Sequence, residues 1–184
     1  VDQIAAMAVD TTCCSVVALD DSGNPVRPAL IWMDVRSAEQ AEQMVATGDN
    51  ALLINSNGSG PVSAEWMIPK ALWIKQNEPY NFDRAVTICE YQDYINLHLT
   101  GRLGASINNV STRWHCDYSR EGVPKSLLEK LDLVELAEKW PQNVFRLGEL
   151  VGRLTPRAAG HLGLTPDLPV VQGGADAQIG MIGL

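Results

Sequence analysis

No stretch of this 184-residue sequence approaches the ~20 consecutive apolar residues that a membrane-crossing helix needs. The N-terminal VDQIAAMAVD also lacks the basic start and cleavage site of a secretory signal, so a soluble, cytoplasmic protein is expected. Basic residues are few: 14 Lys and Arg stand against 22 Asp and Glu, for a net charge of −8 and a pI near 4.8. Nucleic-acid binding draws on clustered Lys and Arg, which excludes DNA and RNA as expected partners, and the missing apolar runs exclude a membrane. Cysteine is scarce. Cys13, Cys14, Cys89 and Cys116 form no Cys-x-x-Cys pair and have no His at ligand spacing, which argues against a zinc site or a disulfide framework and for reduced thiols. Internal repeats and low-complexity tracts are absent as well.

What is present is a core-forming composition, with 46% hydrophobic residues. The length suits one domain or part of a larger one. IAAMAV, CSVVALD and ALIWMD, the last two separated by the turn-forming DDSGNP, predict an antiparallel meander of three strands. RSAEQAEQMVATG then places Ala38, Ala41, Met44 and Val45 on one helical face, with Gly48 as the stop. INSNGSGPVS reads as a loop, and AEWMIPKALWIKQNEP as a helix that starts near Trp66, because Pro69 fits only in a first turn. AVTIC predicts a strand, and EYQDYINLHLTG a helix ending at Thr-Gly. The segment RLGASINNVSTRWHCDYSREGVP is polar and turn-rich, whereas SLLEKLDLVELAEKW is helical. ELVGRLT, PRAAGHLGL and LPVVQGG predict strand, helix and strand, with a new helix opening at the chain's end. Neither terminus has the polar tail of a finished domain, so the chain reads as a piece of a longer protein.

The ending LPVVQGGADAQIGMIGL carries the most chemistry. Gly173 and Gly174 predict a sharp turn that brings main-chain N–H groups to a ligand, with Asp176 at a helix N-terminus beyond a strand's carboxyl end. The segment has neither the Lys-Ser/Thr of a P-loop nor the GxGxxG spacing of a dinucleotide turn. On local pattern alone Asp176 is an N-cap. Trp32, Trp66 and Trp73 read as core residues, Asp34 and Arg36 as a local ion pair, Lys70 as a solvated helix lysine, and Cys13 with Cys14 as packed thiols.

The ordered stretches VDTTCCSVVALD, IWMDVRSAEQA, SAEWMIPKALWIKQNEP, YQDYINLHLTG and GGADAQIGMIG resemble the FGGY family of carbohydrate kinases, in its ribulokinase-like branch. The resemblance implies an α/β fold, an actin-like (ribonuclease H-like) ATPase domain with a mixed sheet and flanking helices. Residues 1–184 would be an incomplete N-terminal sugar-binding domain, with the C-terminal ATP-binding domain absent. It also implies Asp176 as catalytic base, Lys70, Cys13, Cys14 and Gly174 as sugar-facing residues, and Gly173 with Gly174 on the nucleotide side. ATP and Mg²⁺ are the implied cofactors and a small sugar the partner, with a homo-oligomer left open. The family's Asp-x-Gly-Thr phosphate loop is missing from the chain, so the fragment alone is expected to be inactive. The EWMIPK segment favours a ribulose-type pentulose as substrate. A xylulose or glycerol kinase, or a non-catalytic sugar-binding module, is the alternative.

Overall fold

A computed structural model of the chain describes residues 3–56, 62–118 and 122–183. Its strands are β1 (Met7–Ala8), β2 (Val16–Leu19), β3 (Thr87–Glu90), β4 (Ala105–Ser106), β5 (Val144–Phe145), β6 (Leu150–Arg153) and β7 (Pro169–Val171). The helices are α1 (Ala38–Ala46), α2 (Leu53–Ser56), α3 (Met67–Asn77), α4 (Pro79–Arg84) and α5 (Tyr91–Thr100), followed by α6 (Ile107–Arg113), α7 (Lys125–Lys130), α8 (Leu136–Lys139), α9 (Pro156–Leu162) and α10 (Asp176–Gly180). None of these helices is long and apolar enough to cross a membrane.

The expected N-terminal meander forms only in part. β2 pairs antiparallel with β3, and Val16 and Leu19 bridge to Leu30 and Pro25, so the second and third apolar runs do meet. β1 instead pairs in parallel with β7, which pairs antiparallel with β6. The reason lies between the two strands. Cys14 takes a left-handed backbone with φ of 70°, which breaks the extended chain and redirects it. β2 is buried on both faces: Val16 and Ala18 join the large core with Met44, Ile68 and Trp114, while Val17 and Leu19 pack with Cys89. Met7 and Val9 belong to a separate cluster with Leu99, Leu154, Ala159 and Val170.

α1 lies within its expected span, but it buries Gln40, Ala41 and Met44 while Ala38 and Val45 stay exposed. Pro69 is the third residue of α3, within the first turn, where backbone N–H groups have no intrahelical acceptor to lose. The single helix expected over SLLEKLDLVELAEKW is two, broken where Asp132 has φ of 50°. The break lets Leu127, Leu128, Leu131, Leu133 and Leu136 all enter the core, which one continuous helix could not do, since Leu131 and Leu133 point to different faces. The polar stretch expected to be irregular after Arg102 contains β4 and α6, whose Val110 is buried beside Trp114. Part of the predicted loop INSNGSGPVS, residues 57–61, lies outside the described residues, as do residues 119–121 of the polar stretch.

α5 stops at Gly101, whose φ is 73° and whose amide donates to the Leu97 carbonyl at 2.7 Å. Gly101→Ala forces a side chain into that left-handed conformation and should cost about 1 kcal/mol. Urea titration checks this, and an unchanged midpoint would contradict it.

Candidate active site

β1 and β7 run parallel, so their carboxyl ends open on the same side, which is where α/β sheets take up ligands. The two chains leaving these ends stay joined. Thr11 N–H donates to the Gly174 carbonyl at 3.4 Å, and Asp176 N–H donates to the Thr11 carbonyl at 3.0 Å. The Asn108 side chain, from the start of α6, accepts from Ala175 N–H at 2.9 Å. The Asp176 side chain is exposed at this junction, one carboxylate oxygen accepting from the Ala177 amide at 2.7 Å. It is not the N-cap that its local sequence suggests: Ala175 occupies that position and Asp176 is the first helical residue.

The glycine pair is needed for a reason other than the expected sharp turn, since neither glycine has a left-handed φ. A Cβ on Gly173 would collide with the Val9 carbonyl oxygen and lie 2.6 Å from an Asp10 carboxylate oxygen. One on Gly174 would stand 2.7 Å from the Asn108 side-chain oxygen. Both glycines are buried, and their carbonyls accept hydrogen bonds from the protein.

Those bonds come from a layer of buried amides beneath the two chain exits. Gln92 on α5 donates through Nε2 to the Val9 carbonyl at 2.5 Å and to the Gly174 carbonyl at 3.1 Å. Its Oε1 accepts from Asn109 Nδ2 at 3.0 Å and from Gln172 Nε2 at 3.1 Å. Gln172 and Ser106 both donate to the Gly173 carbonyl, and Asn96 reaches Gln172 Oε1.

Cys13 is half-buried in the loop leaving β1, whereas Cys14 is buried and its amide donates to Glu90 Oε2 at 2.8 Å. The other Glu90 oxygen accepts from the Trp114 indole at 3.1 Å. A hydrogen bond with the Cys14 thiol, followed by the Arg113 guanidinium, holds the Cys13 thiol well below its ordinary pKa against the opposing effects of burial and Asp176; Cys14 is raised. Arg113 also lies over the Trp66 ring, 5.2 Å from its centroid, and Trp66 packs against His115. Burial holds the His115 ring neutral by lowering its pKa to about 4. Arg113 and Asp176 thus both act on the Cys13 thiol.

Lys70 stands apart from this group. It is 0% exposed, and its ammonium donates to the carbonyls of Cys14 and Ile31, each at 2.7 Å, and of Trp32 at 3.2 Å. Three protons meet three acceptors, so it is neither the solvated lysine of the local reading nor free to grip a sugar hydroxyl; it ties the loop after Leu30 to Cys14. Burial lowers its pKa. Asp34 and Arg36 do pair, at 2.8 Å. Trp32 is 43% exposed and is not a core residue, and Trp73 is part-buried with Arg36 over its ring at 4.9 Å.

The profile of the N-terminal domain of the FGGY family of carbohydrate kinases matches residues 1–183. The chain belongs to this family. It is 29% identical over 189 residues to a xylulose kinase of Lactococcus lactis, covering 99% of this chain and 35% of that protein. To a ribulokinase of Bacillus licheniformis it is 27% identical over 196 residues, covering 96% and 35%. The crystal structure of xylulose kinase from Rhodospirillum rubrum superposes with a TM-score of 0.80 at 27% identity, covering 94% and 35%. The chain therefore spans about a third of the length of these relatives, and the fold is the actin-like α/β domain of FGGY sugar kinases.

In this FGGY domain, Arg113, Gln92, Asn108, Asn109 and Glu90 went unnoticed in the sequence reading. A usable signal exists for Gln92. Gln92 and Asn96 are four residues apart on the buried face of α5, and a helix that turns amides inward must satisfy them somewhere. Among the described residues no three His, Cys, Asp or Glu side chains converge as a metal site.

Two outcomes follow from the charges. Brief iodoacetamide treatment should label Cys13 at least about tenfold faster than Cys14, Cys89 or Cys116, because only Cys13 is both accessible and readily a thiolate. Peptide mass spectrometry checks this, and equal labelling would contradict it. Burial raises the Asp93 carboxyl to about 8. With the folded pKa above the unfolded one, the stability tied to this proton is complete below about pH 4 and is lost as pH rises through about 8. Asp93→Asn should therefore flatten the decline in denaturation midpoint between those pH values, and a decline as steep as the wild type's would contradict the assignment.

Proposed function

We propose that these residues are the sugar-binding part of a longer kinase that transfers the γ-phosphoryl group of ATP to a hydroxyl of a pentulose, with Asp176 as the general base. The observation that carries the reading is an exposed carboxylate fixed at the common carboxyl end of two parallel strands, backed by a buried polar layer rather than by a mobile loop. Membership of a carbohydrate kinase family, and coverage of only about a third of the relatives' length, support both the activity and the need for further chain.

The chemistry demands little of the base. In a loose phosphoryl-transfer transition state most of the barrier is lowered by positioning and charge neutralisation. The sugar oxygen forms a bond to the γ-phosphorus, the bond from that phosphorus to the β-phosphate oxygen breaks, and ADP departs. The hydroxyl proton passes to the Asp176 carboxylate. Sugar kinases of this family use ATP with a divalent metal, which neutralises phosphate charge when bound. In this reading Cys13 and Arg113 line the sugar's side of the crevice, the guanidinium offering donors to ring or carbonyl oxygens.

The EWMIPK segment, which favours ribulose in the sequence, includes Lys70. Its ammonium is engaged by three carbonyls, so Lys70 favours neither ribulose nor xylulose, and relatives named for both sugars support the pentulose class. Gly174 then serves the site through its carbonyl contacts and its closeness to Asn108.

In the full-length protein, Asp176→Asn should reduce kcat with a pentulose by at least roughly 100-fold while sugar binding persists, the scale expected for removing a general base. Coupled assay of ADP release together with calorimetric sugar binding checks this. Near-normal turnover would overturn Asp176 as the base, whereas sugar binding without any turnover in the unsubstituted protein would favour a module that binds sugar without phosphorylating it.

A further inference from the structure

Gln92 never reaches the crevice. It is 0% exposed on the inner face of α5, yet its single carboxamide contacts both chain exits that build the site. One nitrogen donates to Val9, just past β1, and to Gly174, just past β7. These two carbonyl oxygens would have no cause to approach one donor unless the exits were drawn together, and the bare Gly173 backbone pressed against the Val9 carbonyl shows how close they come. The oxygen of the same amide is held from behind by Asn109 and Gln172, so its two ends cannot exchange without breaking four bonds at once.

We infer that Gln92 is a positioning residue for phosphoryl transfer: by clamping the Val9 and Gly174 carbonyls it sets where the Asp176 carboxylate stands. The inference rests on the reading of Asp176 as the base. The link from clamp to carboxylate is short. Gly174 accepts from Thr11, Thr11 accepts from the Asp176 amide, and only Ala175 separates Gly174 from Asp176. Without the clamp, the Val9 carbonyl loses the Gln92 donor and the Gly174 carbonyl keeps only the longer 3.4 Å bond from Thr11, so the glycine segment can draw away from the loop leaving β1. The sugar would still bind through groups on that loop and on α6. Its hydroxyl would no longer meet the carboxylate in the geometry that transfer needs, and a displacement of about 1 Å costs on the order of 100-fold in rate.

The test compares variants of the full-length kinase. Gln92→Met keeps the length of the side chain but removes every hydrogen bond, and should lower kcat by roughly 10- to 100-fold while leaving the sugar KM within about threefold. Phe82→Leu, in the separate large core, controls for general destabilisation and should lower the melting temperature with kcat unchanged. Gln92→Glu supplies a second readout that a purely structural role would not give. Its buried carboxyl can donate to a carbonyl only when protonated, so its kcat relative to wild type should recover as pH falls from about 8 to about 6. If Asp176→Asn is inactive but Gln92→Met turns over at the wild-type kcat, the inference fails alone; a pH-independent ratio for Gln92→Glu would equally overturn it. If Asp176→Asn turns over normally, the underlying reading fails and takes this inference with it.

Discussion

A buried primary amide can make four hydrogen bonds, and Gln92 makes all of them, to three different segments of the chain. Each of these partners would be costly to leave alone, by about 1–3 kcal/mol for a buried polar group without a partner. The exits of β1 and β7, the start of α6 and the inner face of α5 are therefore held to one another by a polar constraint whose geometry is more specific than apolar packing. The cluster of Leu99, Leu154 and Val170 beside it supplies apolar burial but does not fix the register of the two exits.

Around that constraint the ionisable groups divide into two kinds. Glu90, Asp93 and Lys70 are fully buried and bound to backbone amides, an indole or carbonyls, where they hold the loops that carry Cys13 and Trp32. Burial, with Asp93 nearby, pushes Glu90 well above its usual carboxylate range. Asp176 is exposed, while Cys13 and Arg113 are half-buried, so these three can meet a ligand. This separation suits the proposed sugar site, since hydroxyl groups are recognised by polar side chains whose own positions are fixed from behind.

Much of the order of elements was legible in the sequence, because periodicity and stop signals are local. Gly101 after α5 and Gly48 after α1 end helices where the pattern says they should. What was not legible depends on contacts distant in the chain. The pairing of β1 with β7 joins residues more than 160 positions apart, and nothing in IAAMAV specifies it. Lys70 follows a proline in a helical pattern, and only the folded chain brings the carbonyls of Cys14, Ile31 and Trp32 to its ammonium. The family was legible in motifs, whereas Arg113, Asn108 and Asn109 lie in a segment whose polarity reads as solvent exposure, and Gln92, Asn96 and Gln172 lie in segments that read as an ordinary helix and strand.

The role of Asp176 turns on where the sugar's reacting hydroxyl lies. A crystal structure of the full-length kinase with a bound pentulose measures this directly. The account predicts a terminal sugar hydroxyl within about 3 Å of a carboxylate oxygen of Asp176, in the crevice beyond β1 and β7. A sugar seated elsewhere, with Asp176 turned to solvent and touching no hydroxyl, would contradict it.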